Sequence, residues 1–483
     1  MTTNQLSLFE VDISVPVQLF RIEYTLVEQG GLPFVPEFLL RLLKVSAFPP
    51  ADIARFFGLT PKEVSTALLP FLQQGELALA ADGRVALTDK GLRLFAGDGE
   101  TPIVKGRKEY RKSFAFDLLA YSFVEHKKQR LESPRCSVVL SSDPSARAES
   151  VAGAERAFQH NLFKIYRSGE LCGQTDEMQA PELYKVSEVR KERDGYIRFA
   201  EAYGLDSETM TFGFIGHAGL TEEDVYITQR SVQLAELVGR CNIETVAAFA
   251  DGIGDQHTLD LLSAGALDLS RAAQASIATF RAGQAEVEPI YGALQLTRNW
   301  DRVERLLSKY AKRKASEDST EPVSLTWLAP AAHGLWGKCS RHSQALGAFV
   351  GSATFKASGQ EKSVFNPRLL IPLADQHDDK ARRRAFNECK EAESVLHGFV
   401  ESDALSALEV ISLVDSFAIV IYHLVLPDVH PVPVPFGFIT EDKRMVRRIE
   451  AAVEDKLAEY TEGNVPRYLG ALSRNESPQR RRG

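Results

Sequence analysis

The chain has 483 residues, of which 44% are hydrophobic and 25% are charged, which is typical of globular proteins and long enough for about three domains. Its formal net charge of −8 excludes a generally basic coat for nucleic acid, although local basic patches on an acidic body remain compatible with nucleic-acid binding. The five cysteines lie far apart without a CxxC pair, and the sequence shows neither a secretory signal nor a membrane span, so we expect a cytoplasmic protein without a membrane partner.

The first segment with a clear pattern is an N-terminal strand. Apolar residues alternate from Val11 to Val27, which predicts a strand, and Pro16 confines its first part to a sheet edge or a bulge. An isolated strand leaves its backbone groups without partners, so we expect it to pack on a later domain. We assign residues 1–30 to this N-terminal strand or arm.

Signals for three helices follow. The apolar periodicity of Phe34 to Val45 predicts a first helix, and Asp52 to Phe57 predicts a second helix that ends at Gly58. Thr60 is a suitable N-cap for a third helix, because its hydroxyl can accept a backbone N–H and Glu63 stands at the capping-box position.

A small hairpin comes next. Leu77 to Ala80 and Arg84 to Thr88 predict two short strands, joined by a turn that Gly83 suits. Three helices followed by a hairpin resemble the winged-helix variant of the helix-turn-helix, and Leu87 to Phe95 is similar to the post-wing helix of many bacterial winged-helix proteins. We therefore assign residues 31–115 to a winged-helix domain.

The resemblance implies contact with DNA. The exposed face of the third helix offers Lys62, Ser65 and Thr66 beside Glu63, and the wing offers Arg84. The segment beyond the module adds five cations, namely Lys105, Arg107, Lys108, Arg111 and Lys112. Such a run favours sequence-independent attraction to phosphates. Two interpretations stay open: the domain contacts DNA, or it is a protein-contact element whose cations face solvent.

Residues 116–315 alternate between strand and helix signals and predict a mixed α/β middle domain. Ile243 to Ala250 predicts a buried strand, and Asp251, Asp255 and His257 follow it. Acidic residues at the carboxyl end of a buried strand occupy the place where open α/β sheets bind ligands, so these side chains are candidates for a divalent-metal site. The alternative is that they form a turn and that Asp255 or Thr258 caps the next helix.

The polar, charged segment from Lys312 to Pro322 predicts a solvated linker. We place a domain boundary there and assign residues 316–470 to a C-terminal α/β domain and residues 471–483 to a disordered basic tail. The densest cationic cluster before that tail consists of Arg382, Arg383 and Arg384. We include these arginines among the DNA-binding candidates.

One segment of the C-terminal domain is similar to the second half of a phospholipase D-type catalytic motif. His342 matches the nucleophile of that family, and Gly351, Ser352 and Asn366 match the cradle around the phosphate. Gln344 replaces the lysine that holds the phosphate oxygens, so charge stabilisation of a transferring phosphoryl group is largely absent. The resemblance implies an inactive relative of that fold, and the alternative is a strand-turn-strand unrelated to it.

No other catalytic motif has the required spacing, so we expect no cofactor. We interpret the chain as a non-enzymatic DNA-associating or scaffolding subunit of a bacterial multi-protein system, of the anti-phage defence or mobile-element type, that also binds other protein subunits. The alternative is a phospholipase D-like phosphodiesterase or nuclease that uses His342, Ser352 and Asn366. The predicted fold class is a multidomain α+β or α/β protein, with an N-terminal winged helix followed by two larger mixed α/β domains.

Overall fold

The computed structural model describes residues 5–95, 102–172, 181–206, 209, 211–217, 224–239, 243–262, 267, 271, 287–317, 321–357, 360–373, 379–400, 405–426, 430–458 and 469–470. Its α-helices are α1 (Phe34–Val45), α2 (Pro50–Phe57), α3 (Pro61–Gln73), α4 (Asp89–Leu92), α5 (Pro144–Ala148), α6 (Ser150–His160), α7 (Leu162–Arg167), α8 (Asp224–Leu237), α9 (Ile243–Ile253), α10 (Gln256–Leu261), α11 (Thr297–Ala315), α12 (Ser340–Gly351), α13 (Asp379–Glu388) and α14 (Lys443–Ala458). None of these described helices is both long and apolar enough to cross a membrane.

The strands are β1 (Gln5–Gly31), β2 (Leu77–Leu79), β3 (Val85–Leu87), β4 (Ile103–Asp117), β5 (Phe123–Val124), β6 (Val138–Val139), β7 (Glu182–Asp206), β8 (Phe212–His217), β9 (Val287–Tyr291), β10 (Val323–Leu328), β11 (Thr354–Ala357), β12 (Gln360–Ser363), β13 (Phe365–Leu373), β14 (Leu396–Val400), β15 (Leu408–Leu413), β16 (Phe417–Leu424), β17 (Val434–Thr440) and β18 (Leu469–Gly470). The chain is thus a mixed α/β protein with several sheets, as predicted.

The chain divides into two compact units. Unit 1 comprises Met1–Pro16, Leu131–Ser142 and Gly195–Gly483, and unit 2 comprises Val17–Arg130 and Asp143–Asp194. The domain boundaries predicted after residues 30, 115, 315 and 470 do not coincide with this division, and they stay predictions.

Unit 2 is organised around a long antiparallel pair of strands. The second half of β1 pairs with β4, from Val17 opposite Asp117 to Gly31 opposite Ile103. Large apolar side chains recur at every second position of both strands, which places them on one face of the sheet. That face packs against α6 and α7. The core so formed includes Phe20, Ile22, Tyr24, Leu26, Phe114, Phe116, Phe158 and Ile165.

The helical module lies in the connection between β1 and β4. Helix α1 has the predicted bounds, and α2 ends at Gly58, whose φ of +66° suits a residue without a side chain. The capping box of α3 is confirmed, because Thr60 Oγ1 accepts the Glu63 N–H while Glu63 accepts the Thr60 N–H. The module has a core of its own, which includes Leu39, Leu40, Leu43, Ile53, Val64, Leu68, Phe71, Leu77 and Val85.

The predicted N-terminal strand is present, but the predicted fold class, which begins with a winged helix, needs correction. The chain starts with β1, a strand of 27 residues that contains the predicted strand from Val11 to Val27, and not with a winged helix. The basic segment expected beyond the module belongs to β4. Strand β1 continues past Val27 because residues 28–31 find backbone partners in residues 103–106.

Unit 1 contains an eight-stranded mixed sheet in the order β18-β14-β13-β10-β15-β16-β17-β9, whose edge strand β18 has two residues. Strand β13 pairs in parallel with β10 and β14, and the remaining pairs are antiparallel. All eight residues of β16 are buried, which is expected of a strand that is covered on both faces.

Alternate side chains of the sheet enter two separate cores. Val410, Val420 and Tyr422 pack with α9 and α14, whereas Ile411, Ile419 and Ile421 pack with α11 and α12. Since neighbouring residues of a strand point to opposite faces, the two helix pairs cover opposite faces of the sheet.

Two further predictions about the second half of the chain need correction. Residues Ile243 to Ala250 form helix α9 and not a buried strand, because Val246, Ala250 and Ile253 recur at helical spacing on its buried face. The predicted linker begins inside α11, which continues to Ala315. Residues 318–320 of that linker and the predicted basic tail, residues 471–483, lie outside the described residues.

Candidate functional site

The predicted basic segment of unit 2 is built on strand β4. Because side chains alternate along a strand, Arg107 and Arg111 lie on one face, and Lys108 and Lys112 lie on the other. The Arg107 guanidinium lies 3.9 Å from the centre of the Tyr184 ring and is exposed. Lys105 belongs to the same strand. The cations are thus distributed over both faces of β4.

A surface depression of about 500 Å³ lies where this segment of β4 meets the loop after β5. Its lining residues are Arg21, Arg111, Lys112, Ser113, His126 and Lys127. Arg21 is part of the lining because the antiparallel register sets it directly opposite Ser113. The lining therefore contains four cations and no carboxylate. Such a surface suits an anionic ligand.

Carboxylates outside the lining hold these cations in place. Arg21 forms an ion pair with Glu192, and Arg111 Nε lies 3.1 Å from Glu23 Oε1. Lys112 Nζ donates to the backbone oxygen of Glu170 over 3.1 Å. A guanidinium carries five N–H donors and an ammonium three, so one carboxylate or carbonyl leaves donors available to a ligand.

The imidazole of His126 responds to the same surroundings. Burial lowers the pKa of His126, and the carboxylate of Glu170, 3.8 Å away, opposes that effect in part. The positive charge of Lys127 lowers the pKa of His126 further, since it disfavours protonation of the ring. His126 is therefore neutral at pH 7 and can accept or donate a hydrogen bond at the depression.

The exposed face of α3 offers few groups for base contacts. Lys62, Ser65 and Thr66 are exposed, but the Thr66 hydroxyl donates to the backbone oxygen of Lys62 over 2.8 Å. Glu63 is engaged in the capping box, and the hydrogen bond from the Thr60 backbone lowers its pKa. Lys62 is therefore the one cation on this face, and the carboxylate of Glu63 lies next to it in the sequence.

The remaining predicted DNA contacts lie elsewhere. Arg84 forms an ion pair with Asp82 of its own turn, 3.2 Å away. Arg382, Arg383 and Arg384 lie on α13 in unit 1, where Arg384 Nε donates to Glu388 over 3.2 Å. The structure thus brings Arg111 and Lys112 together with Arg21 and Lys127 in the depression.

The three residues of the phospholipase D-like comparison do not form a site. His342 is 1% exposed and lies on α12, where its ring packs against Trp327 and Trp336. The Ser352 hydroxyl donates to the backbone oxygen of Phe349, and Asn366 is exposed on β13. In the part of the chain that the structure describes, no hydrogen bond joins any two of these three candidates, and neither ring nitrogen of His342 has a partner.

A chain of hydrogen bonds that the sequence did not reveal crosses the centre of unit 1. The Leu335 N–H donates to Nδ1 of His333, so the proton of that neutral ring is on Nε2. His333 Nε2 lies 3.0 Å from His423 Nδ1 and donates to it, which leaves the proton of His423 on Nε2. His423 then donates to Oε2 of Glu409 over 2.8 Å. One backbone N–H therefore fixes both tautomers.

The carboxylate of Glu409 accepts two further hydrogen bonds. The indole N–H groups of Trp327 and Trp336 donate to Oε1 over 3.0 and 2.9 Å. Burial alone would raise the pKa of Glu409, but the hydrogen bonds from His423 and the two indoles outweigh it and lower the pKa. Glu409 is thus ionised although it is 0% exposed. A charged residue within the apolar strand β15 was the one sequence signal for this cluster, since a buried charge needs partners.

The candidate metal ligands take structural roles. Asp255 Oδ1 accepts the Thr258 N–H over 3.1 Å, which confirms the prediction that it caps the next helix, α10. Its other oxygen accepts the Tyr422 hydroxyl over 3.0 Å. His257 Nε2 lies 3.0 Å from the Tyr291 hydroxyl, and Asp251 lies in the last turn of α9. The described residues contain no group of three His, Cys, Asp or Glu side chains that could hold a metal ion.

Comparisons of this chain with models of protein families, with curated proteins and with solved structures found no match.

Proposed function

We propose that this chain is a non-enzymatic, DNA-associating subunit that binds the phosphate backbone through unit 2. The depression lined by Arg21, Arg111, Lys112 and Lys127 carries this proposal, because it presents four cations and no carboxylate. Phosphate oxygens are the acceptors that such a set of N–H donors suits. The exposed Arg107 lies on the same face of β4 as Arg111, with Glu109 between them, and adds a further cation that a linear polyanion can contact.

The helical module fits this proposal as a winged helix inserted between β1 and β4. Its order of three helices and a two-stranded hairpin supports that assignment. Lys62 and Ser65 are its exposed candidates for base contacts, whereas Arg84 is paired within its own turn. This limited set favours phosphate contacts over recognition of a base sequence.

The test is a salt titration of binding to short duplex DNA of arbitrary sequence, followed by mobility shift with magnesium present. We expect binding that weakens steeply with salt and leaves the DNA intact. The variant that replaces Arg111 and Lys127 with Gln should lower the slope of log K against log salt by roughly 1 to 2, since each lost phosphate contact removes about 0.9.

A matched control removes one Arg and one Lys elsewhere in unit 2. Arg156 and Lys164 are exposed on α6 and α7 and lie outside the lining, so their replacement by Gln should leave the slope nearly unchanged. An equal loss in both variants would show that only net charge matters. Absence of binding at low salt would contradict the proposal, and cleaved DNA would favour the phosphodiesterase alternative.

A further inference from the structure

A second cation-lined cleft belongs to unit 1 and is larger than the depression of unit 2. Its volume is about 790 Å³, within the range of sites for small-molecule ligands. The lining residues come from α11, from β9 and β17, and from the start of α14. They are Glu288, Arg302, Arg305, Leu306, Lys309, Ile439, Glu441, Asp442, Lys443 and Arg444.

The three carboxylates of this lining are already engaged by the protein. Glu288 Oε1 pairs with Arg302 over 2.7 Å, and Glu441 accepts from Lys309 over 2.6 Å. Asp442 Oδ1 accepts the backbone N–H of Arg444 over 3.1 Å at the start of α14. Cations therefore balance the charges of Glu288 and Glu441, whereas Asp442 is hydrogen-bonded only to a backbone N–H.

Three cations of the lining remain available. Arg305, Lys443 and Arg444 are exposed, and among the described contacts none of their side chains pairs with a carboxylate. Arg305 uses Nε to donate to the backbone oxygen of Asp301, which leaves its two terminal nitrogens for a ligand. Arg302 also keeps a buried Nε–H without a hydrogen-bond partner.

The position of these cations at the start of a helix also favours the binding of an anion. Lys443 and Arg444 are the first two residues of α14, a helix of 16 residues. The helix dipole places partial positive charge at this end, which favours an anion near it, and Asp442 already accepts the Arg444 N–H there. Arg305 faces the same cleft from α11, so positive charge converges from two helices.

We infer that this cleft binds the phosphate groups of a small polyanion of about the size of a nucleoside triphosphate. Guanidinium groups bind phosphate oxygens in a bidentate manner, which favours phosphate over a single carboxylate. The apolar side chains of Leu306 and Ile439 in the lining offer contact to the uncharged part of such a ligand. The site belongs to unit 1 and is independent of the DNA contacts proposed for unit 2.

The test is calorimetric titration of the full chain with two probes, ATP and inorganic tripolyphosphate. We expect both probes to bind saturably, since the phosphates supply the recognition. The variant that replaces Arg305, Lys443 and Arg444 with Gln should weaken both at least about tenfold. Its DNA binding should be unchanged, so failure of this site and failure of the DNA-binding proposal are separate results.

A control with the same change of charge replaces Lys312, Lys380 and Lys390 with Gln, because these lysines of unit 1 are exposed and lie outside the cleft. Equal weakening in both triple variants would overturn the inference, as would the absence of binding by either probe. Binding of ATP without binding of tripolyphosphate would overturn phosphate recognition. If the triple variant does not fold, the single variant Lys443→Gln gives the same comparison at a smaller fold-change.

Discussion

His423 Nε2 lies 2.8 Å from Oε2 of Glu409, and both side chains are buried at the centre of unit 1. The carboxylate accepts three N–H donors, from His423, Trp327 and Trp336, and has no hydrogen that it could donate in return. The ionised carboxylate can only accept, which agrees with the hydrogen-bond directions that the Leu335 N–H imposes from the other end of the chain of hydrogen bonds.

Replacement of Glu409 by Gln should destabilise unit 1 although the change is nearly isosteric. An amide has one acceptor atom, so its NH₂ group must face a donor: either the imidazole of His423 or the two indoles. His423 cannot reverse its tautomer without placing two donors together at His333, which the Leu335 N–H holds fixed. We expect a loss of about 3 kcal/mol in the free energy of unfolding, measured by circular dichroism in urea.

The variant His423→Gln is the matched comparison. Its amide offers an N–H to Glu409 and an oxygen to His333, so it can keep the direction of the chain. We expect a smaller loss than for Glu409→Gln. A larger loss in His423→Gln would contradict the assigned tautomers.

The stability of unit 1 should fall in mild acid because of His342. Burial lowers the pKa of His342 to about 4, whereas its ordinary value is 6.5. Below pH 6.5 the imidazole is protonated in the unfolded state but stays neutral in the folded state. The contribution of His342 to the free energy of unfolding is therefore complete above pH 6.5 and is lost as the pH falls toward 4. The share of His342 is up to about 3 kcal/mol.

Urea unfolding at several pH values between about 7 and 4 measures this dependence. His342→Phe should flatten the decline, because Phe does not titrate and fits between two indoles. The control His160→Gln removes an exposed imidazole and should leave the slope as it is. An unchanged slope in His342→Phe would show that other groups cause the acid sensitivity.

Two glycines of unit 1 should respond to the same substitution in opposite directions. A Cβ at Gly437 of β17 would lie 1.9 Å from the backbone oxygen of Val420 on the paired strand β16, so Gly437→Ala must displace a strand. We expect a loss of about 3 kcal/mol or more. Gly347 lies on α12 with nothing near its Cβ position, so Gly347→Ala should stabilise the helix by about 0.5–1 kcal/mol. Thermal melts of both variants provide the measurement.

The helical module should be removable without loss of unit 2. Gly31 and Ile103 are paired across the two strands, so an Asn-Gly turn can join β1 to β4 after deletion of residues 32–102. The core around Phe20, Phe114 and Phe158 contains no residue of the module. We expect the shortened chain to keep its DNA binding, with the salt slope reduced only by contacts from Lys62 and Arg84. Complete loss of binding in a folded deletion variant would assign the interface to the module.

Local signals in the sequence predicted the module well. Helices α1 to α3 were found because their ends depend on nearby chemistry: Thr60 and Glu63 cap one helix, and Gly58 ends another. The strand predicted for Ile243 to Ala250 is a helix. A short apolar run fits either structure, and only packing against α14 and β16 decides between them.

The candidate sites depend on pairings that no local pattern contains. Arg21 enters the depression through the register of β1 and β4, which joins residues far apart in the chain. His333, Glu409 and His423 come together only because β15 and β16 are neighbours and the segment after β10 passes beside them. Glu409 stands out as a charge within an apolar strand, but nothing in its own sequence context names His333 or His423 as its neighbours.

The chain has three tryptophans, Trp300, Trp327 and Trp336, and all of them belong to unit 1. Trp300 and Trp327 stack with ring centres 5.4 Å apart, and two of the three indoles donate to the same carboxylate. Intrinsic tryptophan fluorescence is therefore a label-free optical probe of unit 1 alone, because unit 2 contains tyrosines but no tryptophan. Excitation at the red edge of the absorption band can follow the melting of unit 1 while far-ultraviolet ellipticity follows both units, so a single sample can show whether the two units unfold together or in sequence.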